Sequence, residues 1–390
     1  MYSDRIDLLP PYLFSEIDEA KAVVVGRGVD VIDLGVGDPD LPTPPHIIES
    51  LYEASKNPEN HRYPSYTGML SFREAACEWY KKTKGIDLDP KKEAIALIGS
   101  KEGIAHIPFA FVNRGDVVLV PDPAYPVYCS STIMADGRPH ILPLTSEKDF
   151  KPDLSSIDAG TAKKSKILFL NYPNNPTSAT ADESFFREVI DFAKDNDVIV
   201  CHDNPYAEIT YDGYKAPSFL SFEGAMEVGI EFNSLSKTYN MTGWRVGFAL
   251  GNEEVIGGLG KIKTNIDSGL FQAVQEAGIT AMTGPQECIN DNVRIYKERR
   301  DTLAKGLRDL GWEFEVPKAT FYVWASVPDE NYDSIGYSKL LLEEAGVVAT
   351  PGVGFGKYGE GFMRFALTEP VERMKEALER IEKLPVKDTS

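Results

Sequence analysis

The 390-residue chain carries 41 lysines and arginines against 60 acidic residues, a formal charge of −19 that speaks against non-specific nucleic-acid binding. With 42% hydrophobic and 26% charged residues and no apolar run long enough to span a bilayer, the composition predicts a compact soluble protein with no membrane partner. The length exceeds one ordinary core and predicts a large domain with a smaller companion.

Residues 1–21 mix Asp, Glu, Arg and Pro and lack the basic and apolar regions of a secretory signal, so the cytoplasm is the expected location. Cys77, Cys129, Cys201 and Cys288 are scattered without a CxxC spacing, which signals neither a disulfide framework nor a zinc site. None of the five histidines pairs at metal-ligand spacing, and no metal is expected; His202 beside Asp203 reads as a strand-end neighbour.

In chain order, Gly35-Val36-Gly37 reads as a turn, since it lacks a full dinucleotide fingerprint, and Gly352-Val353-Gly354 reads the same way. Apolar runs follow at Ala94–Ile98, Val117–Val120, Ile167–Leu170, Val198–Cys201 and Ile230–Phe232, separated by helical stretches such as Glu183–Asp195. This is the rhythm of an α/β protein. Runs with so little alternation suit strands buried on both faces of a mostly parallel sheet, where ligands gather at the strands' carboxyl ends. Near Asn290 the texture changes to a long charged helix over Val293–Leu310. After it come apolar segments at Trp312–Val316, Phe321–Ser326 and Phe362–Leu367 around a helix near Tyr337–Ala345, the pattern of an α+β domain. The Pro- and Gly-rich opening is expected to pack with that part, giving a large domain over 46–290 and a small one from 1–45 and 291–390.

The polar residues concentrate where the runs end. Ser234-Leu235-Ser236-Lys237 sets a lysine between small hydroxyls, with Arg245 further on. A lysine meant to form a Schiff base needs an amine that can lose its proton, and hydroxyls with a guanidinium suit a phosphate. Pyridoxal 5′-phosphate carries both the aldehyde and the phosphate. Its ring draws electrons only while the ring nitrogen stays protonated, and Asp203, ending an apolar run, is the candidate partner for that cation. Tyr206 and Asn175 are candidate donors to the ring's phenolic oxygen. Gly99-Ser100-Lys101 opens a helix whose first N–H groups suit a phosphate, although the spacing is not that of a Walker A loop.

The ordered set Asn175, Asp203, Tyr206, Ser234, Ser236, Lys237 and Arg245 resembles class I aminotransferases of the fold type I pyridoxal phosphate superfamily. The likeness runs through Tyr63-Pro64-Ser65-Tyr66-Thr67-Gly68 and Asp122-Pro123-Ala124-Tyr125-Pro126 to Met363-Arg364-Phe365, with one departure at Ser178, where the family's Asn-Pro-Thr usually continues with glycine. The resemblance implies a homodimer with pyridoxal phosphate on Lys237. Tyr125 would stack on the ring, Ser100, Lys101, Ser234, Ser236 and Arg245 would hold the phosphate, and Tyr63 would reach the partner subunit's phosphate. Arg364 would clamp the substrate α-carboxylate, helped by Asn175 and the backbone at Gly37. Amino acid and 2-oxo acid substrates follow, with 2-oxoglutarate as the expected acceptor. A carbon–sulfur β-lyase uses the same cofactor frame.

Within the family, the opening Leu8-Leu9-Pro10-Pro11-Tyr12 and the segment Thr264–Gln272 are similar to those of enzymes acting on LL-2,6-diaminopimelate in lysine biosynthesis. That likeness implies substrate contacts from Tyr12 and from Asn265 or Asp267. The stretch from Gly251 to Asn292 has no arginine, unlike aspartate-specific relatives, which bring a distal arginine from the partner subunit.

Overall fold

Seven strands form the main sheet: β1 (Ala94–Leu97), β2 (Val117–Asp122), β3 (Arg138–Pro143), β4 (Ser165–Leu170), β5 (Ile199–Asp203), β6 (Gly229–Ser234) and β7 (Gly247–Gly251). Their spatial order is β1-β7-β6-β5-β4-β2-β3, all parallel except β7, which runs antiparallel to both neighbours. The computed structural model describes residues 2–10 and 13–384, the side chains of Asp4 and 13–16 excepted, so the expectation for Tyr12 lies outside the described residues.

Helices cover both faces of the sheet, which is why its strands read as unbroken apolar runs. Leu119, Leu168 and Val200 point into one core with Phe186 and Val189, while Val118, Phe169 and Cys201 point into the other with Ile104 and Tyr128. The helix Glu183–Asn196 shows how a cover forms: the Asp182 carboxylate caps its first turn by accepting from Phe185 N, and Asp197 ends it at φ 57°. Its stripe Phe185, Phe186, Val189, Ile190 and Ala193 is buried, worth about 1.5–3 kcal/mol for each large side chain, whereas losing the Asp182 cap costs about 1 kcal/mol.

A further core gathers around the helix Glu287–Asp309 and the antiparallel strands Thr350–Pro351, Phe362–Ala366 and Tyr322–Ser326. Ile32–Asp33 pairs in parallel with Val347–Val348, and Val24 packs on Leu342, which ties the opening segment to the C-terminal elements. Tyr206, Ile209 and Tyr211, from the loop between β5 and β6, enter the same core. The segment 312–316 is not a strand; Trp312 is buried and Glu313 O accepts one bond from Ser326 N, but no ladder forms. Among the described residues no helix is long and apolar enough to cross a membrane.

Candidate active site

The carboxyl ends of β4, β5 and β6 deliver Asn171–Thr177, Asp203–Tyr206 and Ser234–Lys237 to one cavity of about 240 Å³. Gly37, Ser100, Lys101, Tyr125, Asn175, Asp203, Tyr206, Ser234, Ser236, Lys237, Arg245 and Arg364 all line it. Residues far apart in the chain meet there because the loops after β4, β5 and β6 leave the same edge of the sheet, while Gly37 comes from the opening segment and Tyr322, Phe355 and Arg364 from the C-terminal elements.

Lys237 sits in the short helix Leu235–Thr238 that follows β6, where the Ser234 side chain caps the turn by accepting from Ser236 N at 3.2 Å. Its Nζ donates to Gly37 O at 3.0 Å. Burial brings the Lys237 amine down to about 8; Asp38 opposes this, and Arg245 and Arg364 push further down. Far more of it is therefore neutral near pH 7 than of an ordinary lysine, and the neutral form is the nucleophilic one.

Opposite it, Gly99 at φ 73° starts the helix Ser100–Phe111. A Cβ at Gly99 would lie 2.2 Å from the Arg245 guanidinium, so glycine is needed for the arginine to reach this corner. Arg245 is itself left-handed at φ 54°, and it donates to Thr242 O at 2.9 Å. Ser100, Lys101, Ser234, Ser236 and Arg245 line one cavity together with the N-terminus of the helix Ser100–Phe111, a donor set whose chemistry suits an anion. The Ser236 hydroxyl is buried there without a hydrogen-bond partner.

Asp203 marks the other end. Its Oδ2 accepts from Tyr128 Oη at 2.8 Å, while Oδ1 is buried and unpartnered. Burial raises the carboxyl to about 6, and the Tyr128 bond holds it from going higher. Asn171 Nδ2 fixes the Asp203 carbonyl at 2.6 Å, and Asn171 Oδ1 accepts from Asn175 N at 2.7 Å, so one amide couples two strand ends. Asn175 Oδ1 in turn accepts from Arg364 at 2.8 Å, and Gly35 O accepts from the same guanidinium at 2.7 Å. The site thus has a fork-shaped cation at one side, an amine in the middle and an unfinished carboxylate at the floor.

Three expected contributors, Tyr63, Asn265 and Asp267, do not line the cavity within one chain. Tyr63 is 89% exposed, and Asn265 is exposed with its amide on Lys261 O at 2.8 Å. Asp267 is already engaged: Lys263 Nζ donates to its two oxygens at 3.0 and 2.9 Å, and Gly269 N to Oδ1 at 2.7 Å. Glu102, His106 and Asp267 bring their ligand atoms within 4.8 Å of one another, an approach histidine spacing alone did not suggest. Lys263 Nζ also donates to Glu102 at 3.1 Å, so an ammonium bridges the two carboxylates. Sequence reasoning missed Tyr128, Asn171, Thr242, Tyr322 and Phe355; only Asn171, a polar residue directly after an apolar run, carried a usable signal.

The model of the family "Aminotransferase class I and II" matches residues 29–381. The chain is 57% identical over 380 residues to the LL-diaminopimelate aminotransferase of Moorella thermoacetica, covering 97% of each. Among solved structures it resembles substrate-bound BacF from Bacillus subtilis, with a TM-score of 0.95 and 38% identity over 100% of this chain and 99% of that one. It also resembles a probable N-succinyldiaminopimelate aminotransferase from Thermus thermophilus, with a TM-score of 0.90 and 40% identity over 95% of this chain and 100% of the other. On both counts, a family match over most of its length and relatives aligned nearly end to end, this chain belongs to the class I and II aminotransferases.

Proposed function

We propose that the chain is a pyridoxal phosphate-dependent enzyme that moves an amino group from LL-2,6-diaminopimelate to 2-oxoglutarate in lysine biosynthesis, working as a cytoplasmic homodimer. The observation that carries the cofactor reading is the unfinished chemistry of the cavity. Asp203 Oδ1 and Ser236 Oγ are buried polar atoms without partners, the Lys101 and Arg245 cations line the same cavity, and a lysine with a lowered pKa stands among them. Buried groups of this kind are costly unless something completes them. A pyridinium suits Asp203, a phosphate suits the corner at Ser100, Ser234, Ser236 and Arg245, and an aldehyde suits Lys237.

Once bound, the cofactor supplies an electron-withdrawing ring and a carbonyl that takes up an amine. The chain's residues do the rest. Asp203 holds the proton on the ring nitrogen, and Tyr125 gives a face for the ring. Lys237 Nζ would take the proton from the donor's Cα as base and, as acid, deliver it to the carbon that carried the cofactor's carbonyl, a task suited to an amine whose pKa burial lowers to about 8. Arg364, fixed by Asn175 and Gly35, binds the α-carboxylate through its two-pronged guanidinium.

The substrate reading rests on the LL-diaminopimelate aminotransferase of Moorella thermoacetica, 57% identical across 97% of both chains. The dimer reading is supported by exposed Tyr63, Tyr66, Ile266 and Phe271. The two segments that carry them touch: Gln272 Nε2 donates to Glu59 O at 2.9 Å, and Phe271 packs 6.2 Å from the His61 ring. Exposed apolar side chains on two touching segments fit a second copy, which would also bring Tyr63 and Asn265 to a cavity. Incubating the purified protein with pyridoxal phosphate, 2-oxoglutarate and a panel of amino donors tests the whole reading. Glutamate should form fastest with LL-diaminopimelate. Faster turnover of aspartate, alanine or an aromatic amino acid would reject the donor, and pyruvate with ammonia from a cysteine conjugate, without glutamate, would reject amino transfer.

A further inference from the structure

Tyr322 enters the cavity from the C-terminal core, and its hydroxyl lies 3.2 Å from that of Tyr206. Each phenol owns one proton, and a contact between them uses one of the two. If Tyr206 donates to Tyr322, it has nothing left to donate to a ligand. If Tyr322 donates to Tyr206, the Tyr206 proton stays available to the cavity.

Tyr322 is confined on every side. Its backbone N donates to Thr320 Oγ1 at 3.2 Å, and its carbonyl accepts from Ser178 Oγ at 2.9 Å. Its ring meets the edge of Tyr206 at 5.7 Å and 74°, and the Arg364 guanidinium lies 4.3 Å over its face. A Cβ on Gly37 would come within 2.1 Å of its hydroxyl oxygen, so the absence of a side chain there makes room for the phenol. Ser178 stands at φ 60° where related motifs carry glycine, and its hydroxyl provides the bond to Tyr322 O that a glycine lacks. The guanidinium over the ring draws electron density from the phenol and strengthens its O–H as a donor, which makes Tyr322 the better donor of the pair.

We propose that Tyr322 is a positioning residue that donates its proton to Tyr206 and so turns Tyr206 into the donor for the phenolic oxygen of the bound cofactor. This rests on the pyridoxal phosphate reading of the cavity. Tyr322 touches no reacting atom and acts through Tyr206. It also links the C-terminal core to the cofactor floor, because the same ring supports Arg364.

Binding to the cofactor-free protein provides the test, using pyridoxamine 5′-phosphate and its analogue lacking the phenolic oxygen, with wild type, Tyr322→Phe, Tyr206→Phe and the double variant. Tyr322→Phe keeps the ring, and its thermal midpoint without cofactor should fall by no more than a few degrees, the loss of one hydrogen bond. Its affinity for pyridoxamine 5′-phosphate should fall about tenfold, close to the loss in Tyr206→Phe, and the double variant should lose little more. The analogue should bind all four proteins alike. Unchanged affinity in Tyr322→Phe, or an equal loss for both compounds, overturns the proposal. Failure of wild type to bind either compound instead overturns the cofactor reading, and the proposal with it.

Discussion

Two buried carboxylates on neighbouring strands have opposite fates. Glu231 on β6 pairs across to His202 on β5, and Asp203, the next residue, faces the other side of the sheet. Glu231 is completed by its neighbours: Tyr80 and Asn204 donate to one oxygen, while Ser218, Phe219 N and the His202 ring surround the other. Burial pushes its carboxyl up, but His202, Tyr80 and Asn204 outweigh this and bring it down to about 2. Asp203 has Tyr128 on one oxygen and nothing on the other, and burial leaves it at about 6. The same cost of burying charge is thus offset inside the protein in one case and left for a ligand in the other. A finished carboxylate stabilises the fold, whereas an unfinished one marks a site.

The largest expected effect on stability belongs to Glu231→Gln, which breaks the completed cluster and should cost about 3–5 kcal/mol in denaturant unfolding. Because the folded pKa lies below the ordinary 4.5, the wild-type contribution is full above that pH and is lost as pH falls toward about 2. Cofactor affinity of the molecules that remain folded should not change; a parallel loss of affinity would blur the contrast between the two acids.

Asp203→Asn should act the other way. Turnover should drop a hundredfold or more, since a neutral amide does not hold a proton on the ring nitrogen. The cofactor-free variant should be more stable than wild type above pH 6, by on the order of 3 kcal/mol for a carboxyl displaced from 3.8 to about 6. The folded state holds the extra proton between those values, so wild-type stability falls as pH rises through that window, and the advantage of the variant should vanish below it. Melts of cofactor-free protein on both sides of the window decide this, and a less stable variant at neutral pH would show that the Asp203 charge is already balanced.

A smaller effect is expected from Tyr128→Phe, which removes the donor on Asp203 Oδ2 and should lift the Asp203 carboxyl further. The acid limb of the pH–rate profile should move to higher pH, with a loss of about tenfold in turnover and about 1 kcal/mol in stability. A uniform loss at every pH, with no movement of the limb, would reduce Tyr128 to packing.

The fold class was legible in the sequence because a sheet covered on both faces writes its strands as apolar runs, and the family was legible in the ordered polar motifs that follow them. Polar residues then stand out at the ends, as Asn175, Asp203 and Lys237 do. Tyr128 and Tyr322 were not legible, since each lies in an apolar stretch where an aromatic is core by default. Tyr128 gains its meaning from Asp203, 75 residues away, and Tyr322 from Tyr206, 116 residues away, distances over which no local pattern operates. The segment 312–316 reads as a strand because Trp312 and Phe314 alternate with acids, yet its backbone makes one bond to a neighbouring strand and forms no ladder. Asp267 reads as a possible substrate contact until Lys263, one helical turn earlier, is seen to occupy it.

The central claim is that the cavity is completed by a cofactor attached to Lys237. Borohydride reduction of the protein incubated with pyridoxal 5′-phosphate, followed by peptide mapping, tests it most directly. The pyridoxyl label should lie on Lys237 alone, and it should be lost from Lys237→Ala protein; a label on another lysine, or no label in the folded wild type, would contradict the account.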